Sequence, residues 1–232
     1  MLQNFLLAVP VLLFSMVAHE YAHGYAALRQ GDPTAYQLGR LTWNPIKHID
    51  PFLTLLMPAM LYWASNGSFI FGGAKPVPVV PRNYRNYRRG DIIVSLAGVA
   101  ANLALFIICP LLIVVLGLVG RAAPPAAGTM SLLQDMLVRG IIFNLVLAIF
   151  NLMPIPPLDG SHVMKYLLPP AWALRYQQVG RYGLVIVLVL LWTPVGRPIF
   201  TAWMAPVTML AQWAIQAVFP FFLKSPYALG IG

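Results

Sequence analysis

The chain has 232 residues, of which 59% are hydrophobic and 9% charged, against about a quarter charged in soluble domains. That excludes an ordinary soluble fold: lipid must bury so much apolar surface, which points to an all-α polytopic membrane protein. The excess of 15 Lys+Arg over 6 Asp+Glu is what basic loops beside an anionic cytoplasmic leaflet produce, so no nucleic-acid partner is expected.

Residues 2–28 are the first expected span, with Pro10 as a kink. No positive n-region precedes this apolar stretch, and it runs on into ionisable residues, so it reads as a span and not as a cleaved signal peptide. Residues 49–64 are apolar but only 16 in number and carry Pro51 and Pro58, whereas about twenty are needed to cross. Residues 69–81, FIFGGAKPVPVVP, alternate in hydrophobicity, and Pro76 and Pro78 restrict them to an edge strand or loop. Residues 82–90, RNYRNYRRG, read as a basic collar at the membrane surface. The second span is 92–119, and 121–129 is a flexible outer loop. The third is 132–152, with Arg139 near its start. A short run at 184–195, which the preceding residues can complete, and a Trp-rich run at 199–223 finish the set. Cys109 is the single cysteine; it forms no internal disulfide and reads as a small packing or lipid-facing residue.

The expected architecture is therefore about five spanning helices, a re-entrant or interfacial segment at 49–64 and a small edge-strand region. Residues 1–168 form the core and 169–232 a C-terminal membrane hairpin, a candidate gate. Charge counting supports this. With the N-terminus outside and 49–64 not crossing, twelve Lys and Arg fall inside and three outside. If that segment crosses, the split is six to nine, and inverting the chain improves it only to nine against six. The positive-inside rule favours a segment that does not span.

At the inner end of the first span stands His19-Glu20-Tyr21-Ala22-His23, an H-E-x-x-H motif. Residues four apart share a helix face, so His19 and His23 can grip one metal, and Glu20 beside it can take a proton from water. The bland alternative is a histidine pair at the interface with no metal. A catalytic zinc usually takes three protein ligands and leaves a place for water. Asp32, Asp50 and Asp91 lie in loops or at helix ends beside Gly or Pro, and Asp135 lies at the beginning of the third span. Asp159, in NLMPIPPLDGSH, follows the third span after Pro154, Pro156 and Pro157, where a broken helix frees the backbone to aim a carboxylate. Asp159 reaches the histidines' side only if 49–64 does not cross.

HEYAH, GVAAN (residues 98–102) and NLMPIPPLDG occur in that order, and together they resemble the site-2 protease family of intramembrane zinc metalloproteases. FGGAKPVPV and RLTWNPIKHIDP are similar to its compact prokaryotic branch, without PDZ or CBS domain. The resemblance covers about residues 10–165. It implies one zinc per chain held by His19, His23 and Asp159, with Glu20 as general base. It also implies Asn151 as a catalytic amide that holds substrate or stabilises the oxyanion; a helix-packing asparagine is the alternative. Gly98 and Asn102 match the G-x-x-x-N motif and read as close packing with an amide bonded across helices. Val99 and Leu53 depart from the family's usual proline and glycine. His48 and His162 read as interfacial or supporting histidines.

The function implied is regulated intramembrane proteolysis in a prokaryotic cell membrane, with the site toward the cytoplasm and a transmembrane protein or peptide as substrate. An extended substrate would pair with the edge strand at 73–80. The alternatives are a catalytically silent metal-binding membrane protein, a metal transporter and a structural scaffold.

Overall fold

In the computed structural model, which describes residues 2–64 and 72–224, the three long apolar runs become the three longest helices. Helix α1 is Leu2–Gln30 and continues through Pro10. After the short α2, Thr34–Gln37, a π-helical stretch Pro51–Leu56 leads into α3, Met57–Ala64. Together these last two rise about 21 Å at 1.5 Å per residue, less than a hydrocarbon core of about 30 Å. Helix α4 is Tyr87–Ala122, and the Asn86 side chain caps it by accepting the Arg89 N–H at 2.9 Å. Then come α5, Ala127–Asn151; α6, Asp159–Met164; α7, Pro170–Gln178; α8, Gly183–Trp192; and α9, Gly196–Ala217.

Helices α1, α4 and α5 pack on one another, with α9 against α5. Cys109 and Ile113 of α4, Val138, Ile141 and Leu145 of α5, and Val207, Ala211 and Ala214 of α9 build the main apolar core. Cys109 is thus a packing residue. The other face of α4 stays bare: Ile107, Leu111, Val115 and Leu118, at helical spacing, are exposed. An apolar stripe with no protein cover is what a helix against lipid presents.

Polar contacts fix the helix directions. Asn4, near the start of α1, accepts from Arg139 Nη2 of α5 at 3.0 Å. At the other end of α1, the Gln30 carbonyl accepts the Arg85 N–H at 2.8 Å, just before α4 begins. Hence α1 and α5 run parallel and α4 antiparallel to both. The chain leaves α1 and enters α4 at the same end of the bundle.

Among the described residues, three helices (α1, α4 and α5) are long and apolar enough to cross a membrane, or up to four if the α8–α9 pair, bent by 93°, is one broken span. This differs from the five expected. The run 184–195 lies largely in α8, which has only 10 residues, about 15 Å of helix. Thr193 accepts the Gly196 N–H at 2.9 Å as the chain turns into α9.

The expected edge strand also differs. Residues 69–71 lie outside the described residues, and 72–80 form no strand ladder. Pro76 and Pro78 have no N–H to give. Three of the amides that remain are committed elsewhere: Lys75 donates to the His48 carbonyl at 2.8 Å, Val77 to Glu20 Oε2 at 2.7 Å and Val80 to Asp32 Oδ2 at 2.6 Å. A loop carbonyl and two carboxylates replace the neighbouring strand.

Candidate metal centre

His19 and His23 lie one turn apart on α1, and α6 begins with Asp159 opposite them. One nitrogen of each imidazole and one carboxylate oxygen all lie within 4.8 Å of one another. The two Nε2 atoms are 3.0 Å apart, and Asp159 Oδ2 is 3.2 Å from that of His19 and 3.4 Å from that of His23.

The outer contacts assign the protons. His23 Nδ1 lies 2.7 Å from the Val94 carbonyl, which can only accept, so Nδ1 carries the hydrogen. His19 Nδ1 lies 2.6 Å from Asn102 Oδ1. The Asn102 amide is oriented by its nitrogen, which donates to the Ser15 carbonyl at 3.3 Å and to Asn144 Oδ1 at 2.8 Å. Its oxygen therefore faces His19, and His19 Nδ1 is the donor. In both neutral imidazoles Nε2 is then a bare lone pair.

Two lone pairs and a carboxylate oxygen converge with no hydrogen among them. Asp159 Oδ2 is accordingly a buried oxygen without a hydrogen-bond donor. Such a set repels itself unless a cation lies between its members. Two imidazole nitrogens and one carboxylate oxygen are a donor set that suits zinc and leaves a coordination position open. The outer bonds from Nδ1 to a carbonyl and to an amide oxygen are the usual supports of metal-bound histidine.

Two glycines make the convergence possible. A Cβ on Gly98 of α4 would lie 2.5 Å from His19 Cε1 and 2.5 Å from His23 Nε2. A Cβ on Gly160 would run into the Leu152 carbonyl, so only glycine lets α6 start against the end of α5.

Among the other expected site residues, Glu20 accepts the Val77 N–H. Asn151 donates its amide N–H to the Leu147 carbonyl of its own helix at 2.9 Å, and no hydrogen bond among the described residues joins it to the cluster. His48 is buried and lies 2.9 Å from the Thr42 carbonyl. His162 faces Asp91, not the cluster. Sequence reasoning missed Asn144, which donates to the Gly140 carbonyl at 2.8 Å while accepting from Asn102. An amide in the middle of an apolar run is itself a signal, because a polar group there needs a partner.

The comparisons with known proteins agree with this chemistry. The model of Peptidase family M50 matches residues 114–193, a stretch that includes Asp159. The Bacillus subtilis (strain 168) protein named "Putative zinc metalloprotease YwhC" is 40% identical over 188 residues, covering 81% of this chain and 81% of that one. The chain belongs to peptidase family M50. The "Putative zinc metalloprotease Rip2" of Mycolicibacterium smegmatis is 32% identical over 94% of this chain and 73% of its own length. The protein of that name from Mycobacterium tuberculosis strain H37Rv is 31% identical over 82% and 68%. No solved structure matches the chain. M50 is the site-2 protease family, and this member is an intramembrane zinc metalloprotease.

Proposed function

We propose that His19, His23 and Asp159 hold the zinc and that Glu20 is the general base in hydrolysis of a membrane-spanning substrate near the cytoplasmic side. The single observation that carries the ligand assignment is the convergence of two bare Nε2 atoms on the unpartnered Asp159 Oδ2. Zinc bound there supplies Lewis-acid polarisation of the scissile carbonyl and of water, whose pKa falls to about 7.

The chain's own groups do the rest. Val94 and Asn102 hold the imidazoles in the tautomers that offer Nε2. Glu20, one residue from His19, takes the proton of the attacking water and returns it to the leaving amine nitrogen. The Val77 N–H holds Glu20 Oε2 at 2.7 Å and so orients the carboxylate. For Asn151 we propose contact with the substrate carbonyl, which requires release of its bond to Leu147.

The substrate must be locally unwound, because a helical peptide bond is closed within its own hydrogen bonds. We place the unwound stretch along 73–80. Pro76 and Pro78 donate nothing there and the amides of 75, 77 and 80 are committed, so the substrate would donate N–H groups to carbonyls of this segment. The cytoplasmic orientation rests on the basic residues that collect at the end of the bundle holding the cluster: Arg29, Arg40, Lys75, Arg82, Arg85, Arg88 and Arg89. We read 49–64 as re-entrant at that end. The core is 1–168, and the gate lies in the C-terminal hairpin at α8, because α9 shares the main apolar core. The five-span topology of the sequence reading requires α8 and α9 to count separately, and their 93° bend supports one broken span instead.

The test pairs metal content with cleavage. Wild-type protein in detergent should carry about one zinc per chain and cut a model membrane peptide. Glu20→Gln should keep the zinc and lose the cleavage. A Glu20→Gln protein that still cuts would remove Glu20 as base, and a His23→Ala protein with full zinc would remove the ligand set.

A further inference from the structure

We propose that Asp91 is a positioning residue for the metal centre: it clamps α6 to α4 and thereby sets where Asp159 reaches. The proposal rests on Asp159 being a zinc ligand.

Helix α6 has six residues and no side-chain N-cap, and an irregular segment with three prolines precedes it. So short a helix does not hold itself in place; its orientation comes from tertiary contacts. Asp91, in the second turn of α4, is 2% exposed. Its Oδ1 lies 3.2 Å from His162 Nδ1. Its Oδ2 accepts from Tyr166 Oη at 2.9 Å and from Lys165 Nζ at 2.5 Å. One buried carboxylate thus gathers three side chains from a stretch of five residues that begins three residues after Asp159. Cations close the outer side. The Arg88 guanidinium lies 5.4 Å from the centre of the Tyr166 ring, and Lys165 Nζ lies 5.0 Å from it.

The placement along α4 gives the clamp its meaning. Asp91, Val94, Gly98 and Asn102 are all buried on that helix, at spacings of three, four and four residues that keep them on one face. Asn102 holds His19, the Val94 carbonyl holds His23, Gly98 makes room for both rings, and Asp91 holds the helix that carries Asp159. A single stripe of α4 is the common reference for all three ligands. Zinc tolerates ligand distances only within about 0.2 Å, so a carboxylate on a loosely held six-residue helix would not complete the set.

The test measures zinc affinity by chelator competition, together with the visible spectrum of the cobalt(II)-loaded protein, which reports ligand geometry and not stability. Asp91→Asn should weaken zinc by about 10–100-fold, the usual effect of losing an outer partner, and should alter the cobalt spectrum. Tyr166→Phe removes one bond and leaves the Asp91–Lys165 pair intact, so it folds; it should shift affinity and spectrum in the same direction by less. If Asp91→Asn does not fold, Tyr166→Phe and His162→Ala decide. Wild-type affinity and an unchanged cobalt spectrum in the variants that fold overturn the clamp, whatever their melting temperatures. Asp159→Ala separates the two ideas. Full zinc in that variant removes the ligand assignment, and the clamp with it. Loss of zinc there, with wild-type binding in the clamp variants, removes the clamp alone.

Discussion

Gly98→Ala puts a methyl group into the metal centre without removing any ligand. The new Cβ would lie 2.5 Å from His19 Cε1 and His23 Nε2 and 2.6 Å from His19 Nε2, about 1 Å inside the normal contact distance of about 3.5 Å. Neither ring can step aside cheaply: rotating His19 breaks its bond to Asn102, and rotating His23 breaks its bond to the Val94 carbonyl. The other relief is for α1 and α4 to part, which loosens the bundle. Overpacking of this kind costs about 1–3 kcal/mol, and if half or more of it falls on the bound state, zinc affinity drops by about twofold to about 150-fold. The assay is chelator competition on purified protein in detergent, alongside a thermal melt. Gly140→Ala is the control. Its Cβ would lie 2.9 Å from Cys109 Sγ, in the core and off the cluster, so it should lower the melting temperature and leave zinc binding alone. Wild-type zinc affinity in Gly98→Ala would refute the close approach of α4 to both imidazoles.

Three further outcomes are expected. Glu20→Gln should retain zinc while cleavage falls by about 10²–10⁴-fold, the usual contribution of a general base; parallel metal analysis and peptide cleavage check this. Asn102→Leu removes the acceptor of His19 Nδ1–H and leaves the Ser15 carbonyl and Asn144 Oδ1 without their donor, so zinc affinity should fall by about 10–100-fold, and unaltered affinity in a chelator titration would contradict it. Asp32 is fully buried and accepts from Thr34 Oγ1 at 2.5 Å, Val80 N at 2.6 Å and Asn83 Nδ2 at 2.8 Å; burial pushes its carboxyl up, but these bonds prevail and hold it below the ordinary range. A carboxyl depressed in the native state stabilises fully above its unfolded value of about 3.9 and loses that contribution as the pH falls through the native value. Asp32→Asn should therefore cost stability at neutral pH, on the order of 1–3 kcal/mol, with the gap to wild type narrowing as the pH drops below about 4; a gap independent of pH would contradict this.

The parts of the site that were legible in the sequence are those that depend on local spacing or on rarity. His19 and His23 meet because residues four apart share a helix face. Asp159 stood out because the chain has only 6 acids and the other candidates had plainer explanations. The illegible parts are carried by backbone groups or by partners far along the chain. Nothing in the residues 73–80 says that the Val77 N–H will meet Glu20, 57 positions earlier, yet that bond and its neighbours replace the expected strand ladder. The Val94 carbonyl has no sequence signature at all. Asp91 reads as an ordinary acid at a helix start, and only its distance from Lys165, Tyr166 and His162 sets it apart. The bend between α8 and α9 was illegible for a similar reason: the turn at Thr193–Gly196 bends the chain by 93°, and hydropathy alone does not register a bend.

The most direct measurement is zinc-edge X-ray absorption on the purified wild-type chain and on Asp159→Ala. The wild-type spectrum should fit two imidazole nitrogens at about 2.0–2.1 Å and oxygen at about 2.0–2.2 Å, with zinc reduced or lost in Asp159→Ala. A sulfur neighbour at about 2.3 Å, a single imidazole, or an unchanged spectrum in Asp159→Ala would contradict a zinc held between α1 and α6.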